Sequence, residues 1–155
     1  HLVGHSLIKA SFFLTSGNIL ELYGTKKIKS VTGIMKCDRK TGWLWVASFL
    51  GIAAFPPSVL FISEFLMVKT MFIKERYVLC ALFLLLLTII LYGLGKAVIR
   101  MAFSSAKNEH CEAENKKLSW TMYTPQIIML ILAFFIGVYM PQGFVNMLIL
   151  AVRGF

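Results

Sequence analysis

The amino-acid sequence predicts an all-α, polytopic transmembrane helix bundle with about four membrane segments, one of them broken at Pro56-Pro57. Hydrophobic residues make up 58% of the chain, and its mean hydropathy is +0.76. No charged residue occurs in 41–63, 77–95 or 118–152. About 20 helical residues cross a hydrocarbon core about 30 Å thick, so each run is long enough to span a bilayer. This composition argues against a water-soluble domain.

The predicted membrane segments cover about 1–21, 42–73, 78–102 and 120–140. The second is too long for one straight crossing, because about 32 helical residues extend about 48 Å. Pro56-Pro57 lies near its middle. Two prolines remove two backbone donors and disfavour the helical conformation of the preceding residue. We therefore expect this helix to break or turn at the prolines.

Basic residues distinguish a single broken crossing from a hairpin, because short cytoplasmic loops are enriched in lysine and arginine. A single crossing places the basic residues of 22–41 and of 100–117 on one side, whereas a hairpin separates them. We therefore predict one discontinuous crossing, whose unpaired backbone groups must face protein or a water-filled cavity. The net charge of +9 then predicts contact with anionic lipid headgroups and not with nucleic acid. Segment 104–119 is predicted to be a solvated connector, and the tail 142–155 to lie along the membrane interface.

The first segment carries ionisable residues at every fourth position, namely His1, His5 and Lys9. A lysine near mid-bilayer costs about 2.5 to 3.5 kcal/mol, and such residues almost always face a bundle interior or a hydrated path. Histidine changes its charge near neutral pH. This stripe is therefore predicted to handle protons. Two alternatives remain open: Lys9 extends to the membrane surface, or the two histidines bind zinc, although no third ligand is visible.

Glu64 is the second ionisable residue expected at membrane depth. It lies seven residues beyond Pro57, which is about 10 Å along a helix axis, and we expect it to point into a hydrated interior beside the break. Pairing with Lys69 is the alternative. Lys96 is a further candidate, either interior or interfacial.

The sequence contains no pattern that predicts a cofactor, a metal site or a catalytic residue. Cys37, Cys80 and Cys111 are scattered and lack the CxxC spacing of iron–sulfur and zinc sites. Their scatter also argues against a disulfide framework. No glycine-rich phosphate loop, haem motif or Ser-His-Asp arrangement is evident. Any redox chemistry is therefore expected in other chains.

Two motifs together carry a resemblance to a known family: His1-x3-His5-x3-Lys9-x2-Phe12-Phe13-Leu14-x2-Gly17, and Pro56-Pro57-x3-Phe61-x-Ser63-Glu64-Phe65. The whole chain, 1–155, resembles the C-terminal part of the proton-translocating antiporter-like membrane subunits. These subunits are shared by respiratory complex I, Mrp-type sodium/proton antiporters and membrane-bound group 4 nickel–iron hydrogenases. The two motifs are most similar to those of the hydrogenase-4 component F type.

The resemblance implies a larger helical fold of which this chain would hold the last four helices. It implies that Lys9 belongs to a central polar axis, that Glu64 is a terminal proton-handling site, and that His5 and His1 connect them. It also implies partners, namely other membrane subunits and a peripheral redox arm, and a bacterial or archaeal inner membrane. The expected function is that of a membrane subunit in a redox-driven proton-translocating complex. The alternatives are a sodium/proton exchanger without a redox partner, and a structural anchor in which a buried lysine and glutamate only pin helices together.

Overall fold

The computed structural model describes residues 1–104, 118–139, 143, 145–147 and 150. Within these ranges the chain is helical and contains no strand, which confirms the all-α prediction. The α-helices of this part are α1 Leu2–Tyr23, α2 Ile34–Cys37, α3 Arg39–Ile52, α4 Val59–Ile73, α5 Tyr77–Phe103 and α6 Thr124–Val138. Short 3-10 helices occupy Ile28–Ser30 and Trp120–Met122. Most of the predicted connector and most of the predicted interfacial tail lie outside the described residues.

Two stretches of the described chain are long and apolar enough to cross a membrane, Tyr77–Phe103 and Trp120–Val138. Four crossings were predicted, and the other two remain predictions. Helices α3 and α4 do not qualify as separate spans, because their 14 and 15 residues are each too short to cross a bilayer. In α1, which has 22 residues, polar and ionisable side chains dilute the apolar ones.

The predicted break separates α3 from α4 and includes Pro56-Pro57, whose peptide bond is cis. The two helices follow one path along α1, which is visible in the order of their contacts. From the middle of α1 to its start, the pairs are Phe12 with Trp45, Ser11 with Ser48, Ile8 with Gly51, Gly4 with Val59, and His1 with Ser63. The partners advance steadily as α1 is followed backwards. The two halves therefore run in one direction, antiparallel to α1, as expected for a discontinuous helix and not for a hairpin.

Helix α6 covers one side of the break. A Cβ atom added to Gly137 would overlap the carbonyl oxygen of Pro57 and lie 2.7 Å from the backbone nitrogen of Val59, so a glycine is required for this approach. Beyond the break, the Ser58 side chain accepts a hydrogen bond from the backbone N–H of Phe61 at 3.3 Å and caps α4. Residues 55–57 are exposed, which leaves the other side of the break open.

Asp38 joins the start of α3 to the start of α6. Its carboxylate accepts hydrogen bonds from the backbone N–H of Thr41 at 3.1 Å and from the Tyr123 hydroxyl at 2.8 Å. Burial raises the pKa of Asp38, but the hydrogen bonds from Thr41, Tyr123 and Lys40 outweigh burial, so the pKa is lowered overall. The Lys40 ammonium lies 3.9 Å from the centre of the Trp120 ring, a cation–π contact across the same junction.

Cys37 precedes this cap and is disulfide-bonded. The prediction that the cysteines form no disulfide was therefore wrong for this residue. Spacing along the chain does not reveal which cysteines the packing of loops brings together. Cys80 is a free, buried thiol.

Candidate functional site

The three ionisable residues of α1 have different surroundings, because the stripe turns slowly around the helix axis. Each four-residue step advances about 40° around the axis, so Lys9 lies about 80° further round than His1. Accordingly, His1 contacts α4, His5 is half-buried and the Lys9 side chain is exposed. None of the described residues covers that face of α1, so burial of the Lys9 ammonium requires other neighbours.

The two histidines form the link between the stripe and the broken helix. The rings of His1 and His5 stack, with centroids 5.7 Å apart and planes inclined by 22°. His1 Nδ1 lies 2.9 Å from the Ser63 hydroxyl oxygen. The structure therefore brings the first motif into direct contact with the second, one residue before Glu64.

The hydrogen bonds at Ser63 limit the roles of the His1 ring. The Ser63 hydroxyl lies 2.9 Å from the carbonyl oxygen of Leu60, and a hydroxyl has one proton to give. When Ser63 donates to Leu60, Nδ1 of His1 is the donor to Ser63. When Ser63 donates to His1 instead, Nδ1 is the acceptor.

Glu64 is half-buried on α4. Its carboxylate forms no hydrogen bond or ion pair with any described residue, so the alternative pairing with Lys69 is absent here. Lys96 is exposed on α5 and takes no part in the contact between α1 and α4. Of the five predicted residues, His1 and His5 therefore stack on each other and His1 contacts Ser63, the residue before Glu64 in α4, with Lys9 one turn beyond His5 on α1. Among the described residues, no group of three or more histidine, cysteine or acidic side chains is arranged to hold a metal ion.

A second polar stripe lies on the buried face of α1, and sequence reasoning missed it. Ser11, Thr15 and Asn18 have exposed fractions of 3% or less. The Ser11 hydroxyl is 3.1 Å from the hydroxyl of Ser48 on α3 and 3.2 Å from the backbone carbonyl of Gln126 on α6. Three polar residues at i, i+4 and i+7 of an apolar segment are the signal that could have revealed this face.

The Gln126 side chain borders this seam. It is 1% exposed, and its Oε1 has no hydrogen-bond partner among the described residues. An unsatisfied buried acceptor costs about 1–3 kcal/mol. The junction of α1, α3 and α6 is therefore polar but lacks the charges of the open stripe.

Comparison with known proteins decides the family. Residues 1–90, which include both motifs, match the family described as NADH:quinone oxidoreductase/Mrp antiporter, TM. The chain belongs to this family. The predicted family is thereby confirmed, and membership makes this chain a membrane protein.

Individual relatives in this family are similar over most of the chain. A hydrogenase-4 component F homolog of Methylacidiphilum infernorum is 28% identical over 94% of this chain and 29% of its own length. A Na(+)/H(+) antiporter subunit of Alkalihalophilus pseudofirmus is 26% identical over 75% of this chain and 24% of its own length. The corresponding Na(+)/H(+) antiporter subunit of Bacillus subtilis is 26% identical over 88% of this chain and 27% of its own length. This chain thus spans less than a third of the length of these relatives, which are named as components or subunits.

Proposed function

We propose that this chain is the C-terminal part of a membrane subunit in a redox-driven proton-translocating complex of hydrogenase-4 or complex I type. Its contribution is a portion of the proton route through Lys9, His5, His1 and Glu64. The hydrogen bond between His1 and Ser63, at 2.9 Å, is the observation that carries this proposal. It joins the ionisable stripe to the broken helix, one residue before Glu64 in the sequence.

The arrangement suits proton transfer in small steps. Side chains four residues apart on a helix are about 6 Å apart along its axis, so water between them can relay a proton. A neutral imidazole has one donor and one acceptor nitrogen and changes charge near neutral pH. When Nδ1 of His1 donates to Ser63, Nε2 is the nitrogen that receives a proton from the His5 side. The imidazolium formed in this way then loses one proton through water to the Glu64 carboxylate, which has no other partner among the described residues.

The break supports a hydrated surrounding for this route. None of the described residues donates a hydrogen bond to the carbonyl oxygens of Ala53, Ala54, Pro56 or Pro57. Unpaired backbone at membrane depth is tolerated only against protein or water, and discontinuous helices line the ion sites of many transporters. Water at the open side of the break would lie close to Glu64, which follows about two turns of helix later.

The redox-driven assignment is supported by the hydrogenase-4 component F homolog, which is similar over 94% of the chain. The proposed partners are other membrane subunits and a peripheral redox arm, in a bacterial or archaeal inner membrane. The two relatives named as Na(+)/H(+) antiporter subunits favour a second candidate, a sodium/proton exchanger without a redox partner. Co-purification with hydrogenase or quinone-reductase subunits separates the two candidates.

Substitutions in the full-length complex test the route. Glu64→Gln and Lys9→Ala should each suppress proton pumping while the complex still assembles, because each removes a group that gains and loses the proton. Lys69→Ala is the matched control, since Lys69 is exposed on the same helix as Glu64. Unchanged pumping in both variants would contradict the proposal.

A matched double variant distinguishes a structural anchor. If the lysine and the glutamate only pin helices together, replacing both by glutamine preserves a polar pair and leaves transport intact. Loss of transport in an assembled Lys9→Gln/Glu64→Gln complex supports the route.

A further inference from the structure

A groove at the end of α4 combines apolar side chains with two basic ones. Its volume is about 440 Å³, which lies in the range of small-ligand sites. Its lining consists of Leu66, Met67, Thr70, Met71, Lys74 and Arg76. The Thr70 hydroxyl donates to the carbonyl oxygen of Leu66 at 2.8 Å, so the wall formed by α4 is effectively apolar. Lys74 and Arg76 supply its two cations and follow each other closely in the chain.

Backbone hydrogen bonds fix the conformation of the turn that contains Lys74 and Arg76. The N–H of Lys74 donates to Thr70 at 3.0 Å, and the N–H of Arg76 donates to Met71 at 2.9 Å. Between them Glu75 adopts a φ of 55°, the left-handed conformation that commonly ends helices. The two basic residues therefore leave the helix at defined positions. Glu75 lines a neighbouring cavity and not this groove.

The groove also lies at a membrane boundary. The candidate span Tyr77–Phe103 begins directly after Arg76. The rings of Phe72 and Tyr77 pack edge to face, 5.8 Å apart, and tyrosine is enriched where the hydrocarbon meets the headgroups. A bilayer boundary at the start of this span would bring Lys74 and Arg76 to the depth of the lipid phosphates, with the apolar wall toward the hydrocarbon.

We propose that this groove binds an acidic phospholipid, with an acyl chain along α4 and the phosphate between Lys74 and Arg76. The assignment depends on two features of the groove, its two basic side chains and its apolar wall. A free phosphate would gain nothing from the apolar wall, and a neutral lipid would gain little from two cations. Basic pockets beside membrane helices recognise anionic headgroups in this way. The site is independent of the proton route.

Native mass spectrometry of the full-length protein tests the site, with phosphatidylglycerol and phosphatidylcholine of equal chain lengths as probes. Each basic residue near a membrane surface contributes about fivefold to the affinity for an anionic lipid. The Lys74→Ala/Arg76→Ala variant should therefore lose selectivity for phosphatidylglycerol by about 25-fold. Lys69→Ala, on the same helix but outside the lining, should retain the wild-type selectivity.

A second variant tests the apolar half of the site. Met67→Trp fills the groove without changing its charge. We expect this variant to bind less phosphatidylglycerol than the wild type, although both cations remain. Lys74→Gln/Arg76→Gln repeats the charge test with longer side chains, should the alanine variant fail to fold. Equal selectivity in wild type and both charge variants, or a protein segment seated in the groove of the intact complex, would overturn the proposal.

Discussion

The two polar faces of α1 differ in chemistry and in what surrounds them. The open face carries the exposed Lys9 with the half-buried His5 at its edge, whereas the inner face carries Ser11, Thr15 and Asn18, which are at most 3% exposed. Hydroxyl and amide groups can be buried at low cost when hydrogen-bonded, but a charge without a partner cannot. The difference shows that the inner face is completed by this chain's own helices, while the open face requires neighbours or water.

The largest expected effect is on transport, and it is confined to the open face. His5→Ala removes the group between Lys9 and His1, so proton flux through the full-length complex should fall roughly tenfold or more. Ser11→Ala, on the inner face, should leave the flux nearly unchanged. Proton flux measured in reconstituted vesicles checks both variants. An equal loss of flux in the two variants would contradict the functional difference between the two faces of α1.

The next effect is on stability, where α6 meets the break. Gly137→Ala brings a methyl group against the backbone of Pro57 and Val59, which cannot move as a side chain can. We expect a loss of about 1–3 kcal/mol in the free energy of unfolding. Gly93→Ala is the control, because nothing lies within 4 Å of the added Cβ atom there. Thermal unfolding of the purified full-length protein measures both, and equal melting temperatures would refute the close approach.

A smaller stability difference should separate the serines of the two faces. Ser11→Ala removes the hydrogen bonds to Ser48 and to the Gln126 carbonyl, at a cost of about 1 kcal/mol. Ser6→Ala removes only a bond to Leu2 within the same exposed turn and should be nearly neutral. Denaturant unfolding of the two variants sharpens the comparison, and a larger loss for Ser6→Ala would reverse it.

The smallest effect depends on pH and concerns Asp38, which caps α3 and joins it to the start of α6. Its lowered pKa means that the ionised carboxylate stabilises the folded state above the ordinary aspartate pKa, and that this contribution is lost as the pH falls through the folded pKa. Asp38→Asn keeps a capping side chain but removes the charge. We expect it to lower stability by about 0.5 kcal/mol at neutral pH, with the difference fading below about pH 4. A difference that stays constant across this range would contradict the assignment.

Sequence reasoning was most successful where a local pattern has one physical meaning. The break between α3 and α4 was predictable, because two prolines cannot continue a helix. The pairing of His1 with Ser63 was not, because 62 residues separate them and only the antiparallel course of α1 and α4 brings them together. The inner stripe was missed because serine and threonine are also tolerated on ordinary helix surfaces. The disulfide at Cys37 was missed because it depends on how the loops pack.

The amino-acid sequence by itself determined the helical, membrane class of this protein and the identity of its ionisable residues, since hydrophobicity and charge are properties of residues. Only the tertiary structure decided which of those residues meet. It joined His1 to Ser63 and stacked His5 on His1, and it left Lys9 and Lys96 exposed, because contacts between distant segments depend on helix direction and rotation. It also assigned Lys74 and Arg76 to one groove, which their positions in a charged turn did not reveal.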